Sequence, residues 1–333
     1  MSRKVKWGVL STAKIGMKKV LPAMLRGEEV ELYAIASRNS ESAATAAAEL
    51  GIPVSYGTYE ELLADSQVEA IYNPLPNHLH VSWTIKALEA GKAVLCEKPL
   101  ALTVEDAEKV IAVRNATGIP AGEAFMVASH PQWDRVRDAV GSGEIGELKA
   151  IHGIFSYNLT DPSNIRNVKE YGGGGIYDIG CYPIMTSRMV LGEEPRRVLA
   201  LAEHDPESGI DRVASVILDF PSCQASFISA TQMVPHQTMQ FFGTKQHLQV
   251  DLPFNPLPNQ ESYLYFDGGD PRKADRRREV IAPCDHYTLQ GDRFSRAVRD
   301  GAEVPVPLEN SLAMAKIYEA LFRSIEKGGW EKV

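Results

Sequence analysis

Over the first 125 residues, strand-like apolar runs alternate with helical ones, and this alternation restricts the fold more than any other feature of the chain. "VKWGVL" (5–10) is strand-like, and "KKVLPAMLRG" after it has helical character. "VELYAIAS", "VEAIYNPL", "AVLCEKP" and "IPAGEAFM" read as further strands. Helical runs fall between them: "SESAATAAAELG", "YEELLAD", "HVSWTIKALEAGK" and "TVEDAEKVIAVRNATG". Strands separated by helices of this length predict βαβ units and a doubly wound parallel sheet. Thr103 with Asp106 marks one helix start, and Gly91 and Gly118 lie just past two helix ends.

Beyond about residue 125 the rhythm changes. A helix ("PQWDRVRDAVGSG") and a strand ("ELKAIHGIFSYN") lead into an irregular stretch, then a glycine run entering a helix, "GGGGIYDIGCYPIMTSRMVLG". "RRVLALAEH", "RVASVILDF", "CQASFISATQ", "TMQFFGT" and "KQHLQVDL" follow as strands of a large, mostly antiparallel open sheet, and two helices close the chain. The expected organisation is an α/β Rossmann domain over 1–125 and an α+β domain over 126–333.

The 333 residues are enough for two cores. A net charge of −8 argues against nucleic acid as a general partner. That charge is uneven: residues 1–38 carry +5, leaving −13 beyond, and a basic opening segment suits an anionic small molecule as readily as it suits a solvated surface. No apolar run reaches membrane-spanning length, and the apolar stretch in "MSRKVKWGVL" is too short for a secretory signal. Cys96, Cys181, Cys223 and Cys284 lack disulfide or metal spacing, so buried thiols in a reducing cytoplasm are expected, and no metal.

The turn after the first strand, "WGVLSTAKIG", sits where a dinucleotide fingerprint would. Ser11 and Ala13 replace the first two glycines, and Gly16 keeps the third. Both replacements are small, and the Ser11 and Thr12 hydroxyls can donate to phosphate beside a helix N-terminus formed by Ala13, Lys14 and Ile15. The second strand ends in Ser37 and Arg38 with no acid. Arginine there pairs with a 2′-phosphate where an aspartate would repel it, so NADP(H) is expected.

"YNPLPNHLH" (72–80), "CEKPLALT" (96–103) and "GGGGIYDIGCYPI" (172–184) are each unremarkable alone. In this order, with "EAFMVASHPQ" and "FGTKQHLQVDLPF", nearly the whole chain resembles the glucose–fructose oxidoreductase/inositol dehydrogenase (Gfo/Idh/MocA) superfamily. That resemblance implies a pyridine-nucleotide oxidoreductase acting on sugars or related polyols, and a homodimer or higher homo-oligomer through the C-terminal sheet. Lys98 matches the catalytic lysine of the Glu-Lys-Pro turn, Asp178 the helix aspartate that contacts substrate, and Tyr182 the acid/base position. Tyrosine at 182, where inositol dehydrogenases have histidine, resembles the branch with glucose–fructose oxidoreductase, aldose dehydrogenases and dimeric dihydrodiol dehydrogenase. Asn73, Pro74, Leu75, Asn77 and His80 match the loop along the nicotinamide ribose, and Glu97 a ribose-hydroxyl ligand. Asn164 and Arg166 are candidate substrate contacts. His130 either lines the pocket or caps its helix. Gly174 and Gly175 allow close backbone approach or make a flexible turn.

The resemblance implies that Tyr182 takes the proton of an aldose C1 hydroxyl as hydride leaves C1, giving a lactone. A free phenol ionises near ~10, so a cation such as the Lys98 ammonium is needed to favour the phenolate. Asp178 orients a neighbouring hydroxyl. Release of NADPH at each turnover and discharge of hydride onto a second sugar both stay open. The alternatives are a ketosugar reductase, a trans-dihydrodiol dehydrogenase and a non-catalytic NADP-sensing regulator.

Overall fold

The computed structural model describes residues 3–333, which divide into two compact units. One comprises the chain through Ser129 with Asp285–Leu312; the other comprises His130–Cys284 with Ala313–Val333. The chain therefore returns to the first unit after residue 284, a crossing that a single boundary at 125/126 does not contain.

In the first unit the elements are β1 (Val5–Leu10), a π-helical turn Gly16–Val20 running into α1 (Leu21–Met24), β2 (Val30–Ala36), α2 (Ser40–Leu50), β3 (Val54–Tyr56) and α3 (Tyr59–Ala64). They continue as β4 (Ala70–Asn73), α4 (Asn77–Glu89), β5 (Ala93–Cys96), α5 (Val104–Thr117) and β6 (Ala121–Glu123). The strands form one parallel sheet in the order β3-β2-β1-β4-β5-β6, the doubly wound arrangement that the alternation predicted. The order reverses between β1 and β4, so the 11–16 turn opens at the place where such sheets hold ligands. β4 and β5 are buried at every position, as strands covered on both faces must be. Thr103 accepts from the Asp106 N–H at the start of α5, and Gly118 closes that helix with φ 68°. Thr58 and Glu61 form a reciprocal capping box on α3.

The second unit contains α6 (Pro131–Gly141), β7 (Leu148–Asn158), a π-helical turn Ile176–Gly180 continuing as α7 (Cys181–Leu191), β8 (Arg197–His204) and β9 (Asp211–Asp219). β10 (Gln224–Ala230), β11 (Gln232–Gly243), β12 (His247–Val250), β13 (Ser262–Asp267) and β14 (Arg277–Ile281) follow. α8 (His286–Asp300) belongs to the first unit, where the Trp7 indole donates to Ser295 Oγ (3.0 Å) and packs on Phe294. α9 (Leu308–Lys327) and β15 (Glu331–Lys332) end the chain. The sheet order is β14-β13-β12-β11-β7-β10-β9-β8-β15, antiparallel except for the β7–β10 pair. One face carries Phe155 against Tyr182 and Phe254. The cross-strand register puts Leu199, Ile217, Ser226, His152, Gln240, Gln249 and Tyr265 in one row on the other face, where Leu201, two residues on from Leu199, is 75% exposed.

Candidate active site

Ser11 takes φ 77°, the left-handed conformation that a glycine would supply, and its Oγ accepts from the Ala13 N–H (3.2 Å). The turn thus keeps the shape of the fingerprint without its first glycine. The helix after it opens with main-chain N–H groups that have no partner in the preceding turn, which is what an anionic group requires. Thr12, Lys14 and Lys18 line a groove of about 540 Å³ with Ser42, Thr45 and Glu49 from α2, and Lys18 pairs with Glu49 (3.0 Å). The size is that of a ligand site. Ile15 packs its side chain on the core, leaving only its main chain for a ligand. Ser37 follows β2, its N–H bonded to the Tyr56 carbonyl. Arg38 is exposed beside it, and its charge and hydrogen bond partly offset the burial that raises the Tyr59 phenol. Together the turn and the groove fit a dinucleotide.

The Glu-Lys-Pro turn is fastened on three sides. The Glu97 N–H bonds the Asn73 carbonyl, the Leu100 N–H donates to the buried Glu123 carboxylate (2.8 Å), and His80 Nδ1 meets the Pro99 carbonyl (2.8 Å). Lys98 is half-buried within it. The Glu97 carboxylate accepts from the Tyr72 hydroxyl (2.7 Å), a phenol pushed well up by burial first and by Glu97 second. Tyr287 on α8 joins this group: burial raises its phenol, Glu97 raises it further, and the Lys98 charge opposes.

Asn73 and His80 are used differently from the sequence expectation. The Asn73 amide donates to the His80 carbonyl and to Thr84 Oγ1, while its oxygen accepts from the Leu75 N–H. The His80 ring is 1% exposed, with Nε2 against the Leu75 carbonyl (2.6 Å). Both side chains shape the 73–77 loop from inside. A neutral imidazole can donate to only one of the two carbonyls at His80. Burial, the largest influence, nonetheless pushes that ring down to about 4 against the pull of the carbonyls. Pro74 and Leu75 are buried; Asn77 opens α4 and is half-buried.

In the second unit, Gly174 (φ 113°) leads into the π-helical turn that carries Asp178, and Tyr182 follows at the start of α7. Pro183 lies inside the helical run that continues from Ile176–Gly180 into α7, where it removes one main-chain donor. The Asp178 carboxylate accepts on Oδ2 from the Tyr157 hydroxyl (2.6 Å) and from Arg166 Nε (3.1 Å). Bonds of this kind to a charged group are each worth about 1.5–3 kcal/mol. The cationic form of Arg166 is favoured first by Asp178, with burial opposing, and then by Tyr157 and Tyr182. Arg166 is thus within electrostatic reach of both of the groups placed four apart in the sequence. Tyr182 is 6% exposed, its ring 5.6 Å from Phe155 and 5.4 Å from Phe254. Asn164 caps the short turn that presents Arg166, its side chain accepting from the Arg166 N–H (3.1 Å). His130 caps α6 through Nδ1, which accepts from the Gln132 N–H. A cavity of about 800 Å³ shares Phe155 and Tyr157 with this network, but neither Asp178 nor Tyr182 lines it.

Tyr157, Tyr287 and Asp211 were not singled out in the sequence. Tyr157 lies 21 residues from the Asp178 it bonds, and no local spacing joins them.

Residues 5–123 match the GFO/IDH/MocA pattern described as an oxidoreductase family with an NAD-binding Rossmann fold, and residues 133–249 match its C-terminal domain. The chain belongs to the GFO/IDH/MocA oxidoreductase family. Within that family it is 47% identical to an uncharacterised oxidoreductase of Rhizobium meliloti over 99% of both chains. It is 35% identical to a D-xylose 1-dehydrogenase (NADP(+)) of Haloferax volcanii, over 97% of this chain and 98% of the other. A crystal structure of a 3-ketoreductase from Actinomadura kijaniata with NADP and TDP-benzene superposes with a TM-score of 0.90 at 28% identity, over 97% of this chain and 98% of that one. The resemblance read from the motifs is thereby borne out, as is the two-part architecture.

Proposed function

We propose that this oxidoreductase uses NADP(H) to move hydride to or from C1 of an aldose, with Tyr182 as acid/base. The observation that carries the reading is the Tyr157–Asp178–Arg166 network, with Tyr182 one helical turn from Asp178 and in electrostatic reach of the guanidinium. It offers a carboxylate and a guanidinium to sugar hydroxyls. When bound, the nicotinamide supplies the hydride acceptor. Tyr182 takes the C1 hydroxyl proton in oxidation and returns it in reduction, and a cation stabilises the developing charge. In this reading Lys98 is that cation, and the Asp178 carboxylate orients a neighbouring hydroxyl. Ser11, Thr12, Lys14 and the main chain at Ala13 and Ile15 hold the pyrophosphate. Ser37 and Arg38 hold the 2′-phosphate. The likeness to an NADP-dependent xylose dehydrogenase supports both the cofactor and the substrate class.

Two parts of the reading concern setting. Three buried cysteines and a half-buried Cys284, all free thiols, suit a reducing cytoplasm. The exposed Leu201 and Ile217 on the outer sheet face suit a homodimer formed sheet to sheet.

The test is an aldose panel with NADP+ and with NAD+, followed by the absorbance of the reduced nicotinamide. Oxidation of at least one pentose or hexose to its lactone with NADP+ preferred is expected. A panel with no turnover, alongside rapid reduction of a keto-sugar, would favour the second reading, a ketosugar reductase, which the likeness to the 3-ketoreductase supports. Lys98→Met is expected to bind NADP+ normally and to lose turnover by orders of magnitude. Unchanged turnover would remove Lys98 from the mechanism.

A further inference from the structure

We propose that Asp211 is a positioning residue: its buried carboxylate fixes the start of the helix bearing Asp178 and Tyr182, and so sets where the acid/base stands. Asp211 opens β9 and is 4% exposed. Its Oδ2 accepts from the Ile176 N–H at 2.6 Å, and the Gly175 N–H also bonds the carboxylate. These are first-turn N–H groups, which a helix normally satisfies with a serine, threonine or aspartate just before it. Here the preceding residue is Gly175, which has no side chain, so the cap arrives from 35 residues further along the chain.

The glycines make room for it. A Cβ on Gly174 would lie 2.0 Å from Asp211 Oδ1, and φ 113° at Gly174 excludes other residues independently. On the next turn, a Cβ on Gly180 would come within 3.2 Å of Ser229 Oγ on β10. The helix start is thus pressed onto the ends of β9 and β10, with the carboxylate as its anchor. Asp178 lies two residues after the anchored N–H and Tyr182 one turn beyond.

A local cap would suffice for the fold, whereas a buried carboxylate is costly to desolvate. Burial indeed raises this carboxyl to about 7 against the hydrogen bonds that lower it. What the arrangement adds is a fixed link between the sheet and the height of the helix. A reacting group misplaced by 1 Å can cost ~100-fold in rate.

The inference rests on the proposed role of Tyr182, and its test separates the two. Asp211→Asn is measured for kcat, KM for the aldose, NADPH affinity by fluorescence, and backbone amide exchange. Expected are a ~10- to 100-fold loss in kcat, KM and NADPH affinity unchanged within a few-fold, and faster exchange confined to 175–182. Unchanged kcat in folded Asp211→Asn overturns the proposal. So does exchange that rises across the whole sheet while kcat per folded molecule holds. If the wild-type enzyme oxidises no aldose, the functional reading fails, while the exchange pattern still decides whether Asp211 anchors the helix. Should Asp211→Asn not fold, Asp211→Glu, which keeps the charge and shifts the acceptor by one methylene, is read in the same way.

Discussion

Ser11 shows how a single residue can look wrong in sequence and be right in structure. Its type departs from the fingerprint, but its backbone holds φ 77°, as the missing glycine would. A non-glycine residue pays for that conformation with strain of about 1–2 kcal/mol, partly offset by the Ala13 N–H bond to its hydroxyl. Ser11→Gly should raise thermal stability by about 0.5–1 kcal/mol, whereas Ser11→Val should lower it. Equal melting temperatures across the three would mean that the turn is not strained. Arg38 gives a second residue-scale prediction. Arg38→Glu should shift the NADP+ over NAD+ preference by about 10- to 100-fold, the worth of one charge-assisted bond, leaving NAD+ kinetics nearly unchanged. The catalytic candidates that the sequence offered, Lys98, Asp178 and Tyr182, lie in short motifs. Tyr157, Tyr287 and Asp211 act on partners far along the chain, and no spacing rule announces them.

Among the elements, the helices of the first unit were legible because their ends carry caps and their lengths fit crossovers. Three strands of the second sheet were not: β13 runs straight into "DGGD", β14 is an edge strand whose Arg277, Arg278 and Glu279 hide any apolar alternation, and β15 is two residues long. Helix α6 offers a pH test. Its cap is His130, whose ring accepts a main-chain hydrogen bond and must therefore be neutral at Nδ1. Burial depresses its pKa to about 4. A base held below its unfolded value contributes stability that is complete above pH ~6.5 and lost as pH falls through the folded value. Between those limits the loss approaches about 3 kcal/mol. His130→Asn keeps a good cap and removes the titration, so its stability should decline less than that of the wild type between pH 6.5 and 4. Parallel decline in chemical denaturation at these pH values would exclude His130 as a source of acid sensitivity.

At the scale of the whole molecule, composition and rhythm announced two architectures, but not that the chain revisits the first. Nothing local in "YTLQGDRFSRAVRDG" says that Ser295 receives the Trp7 indole N–H. The exposed Leu201 and Ile217 carry the association prediction: Leu201→Asp with Ile217→Asp should give a monomer in light scattering while keeping the helical circular dichroism of the parent. A parent that is itself monomeric would refute the sheet-to-sheet dimer. The account as a whole depends on Tyr182 exchanging the proton of a sugar's C1 hydroxyl. The most direct measurement is the kcat of Tyr182→Phe with the best aldose, unlabelled and deuterated at C1, alongside its NADPH affinity. The account predicts a loss of about 10²- to 10⁴-fold, a primary isotope effect at C1, and unchanged NADPH binding; turnover within a few-fold of wild type would contradict it.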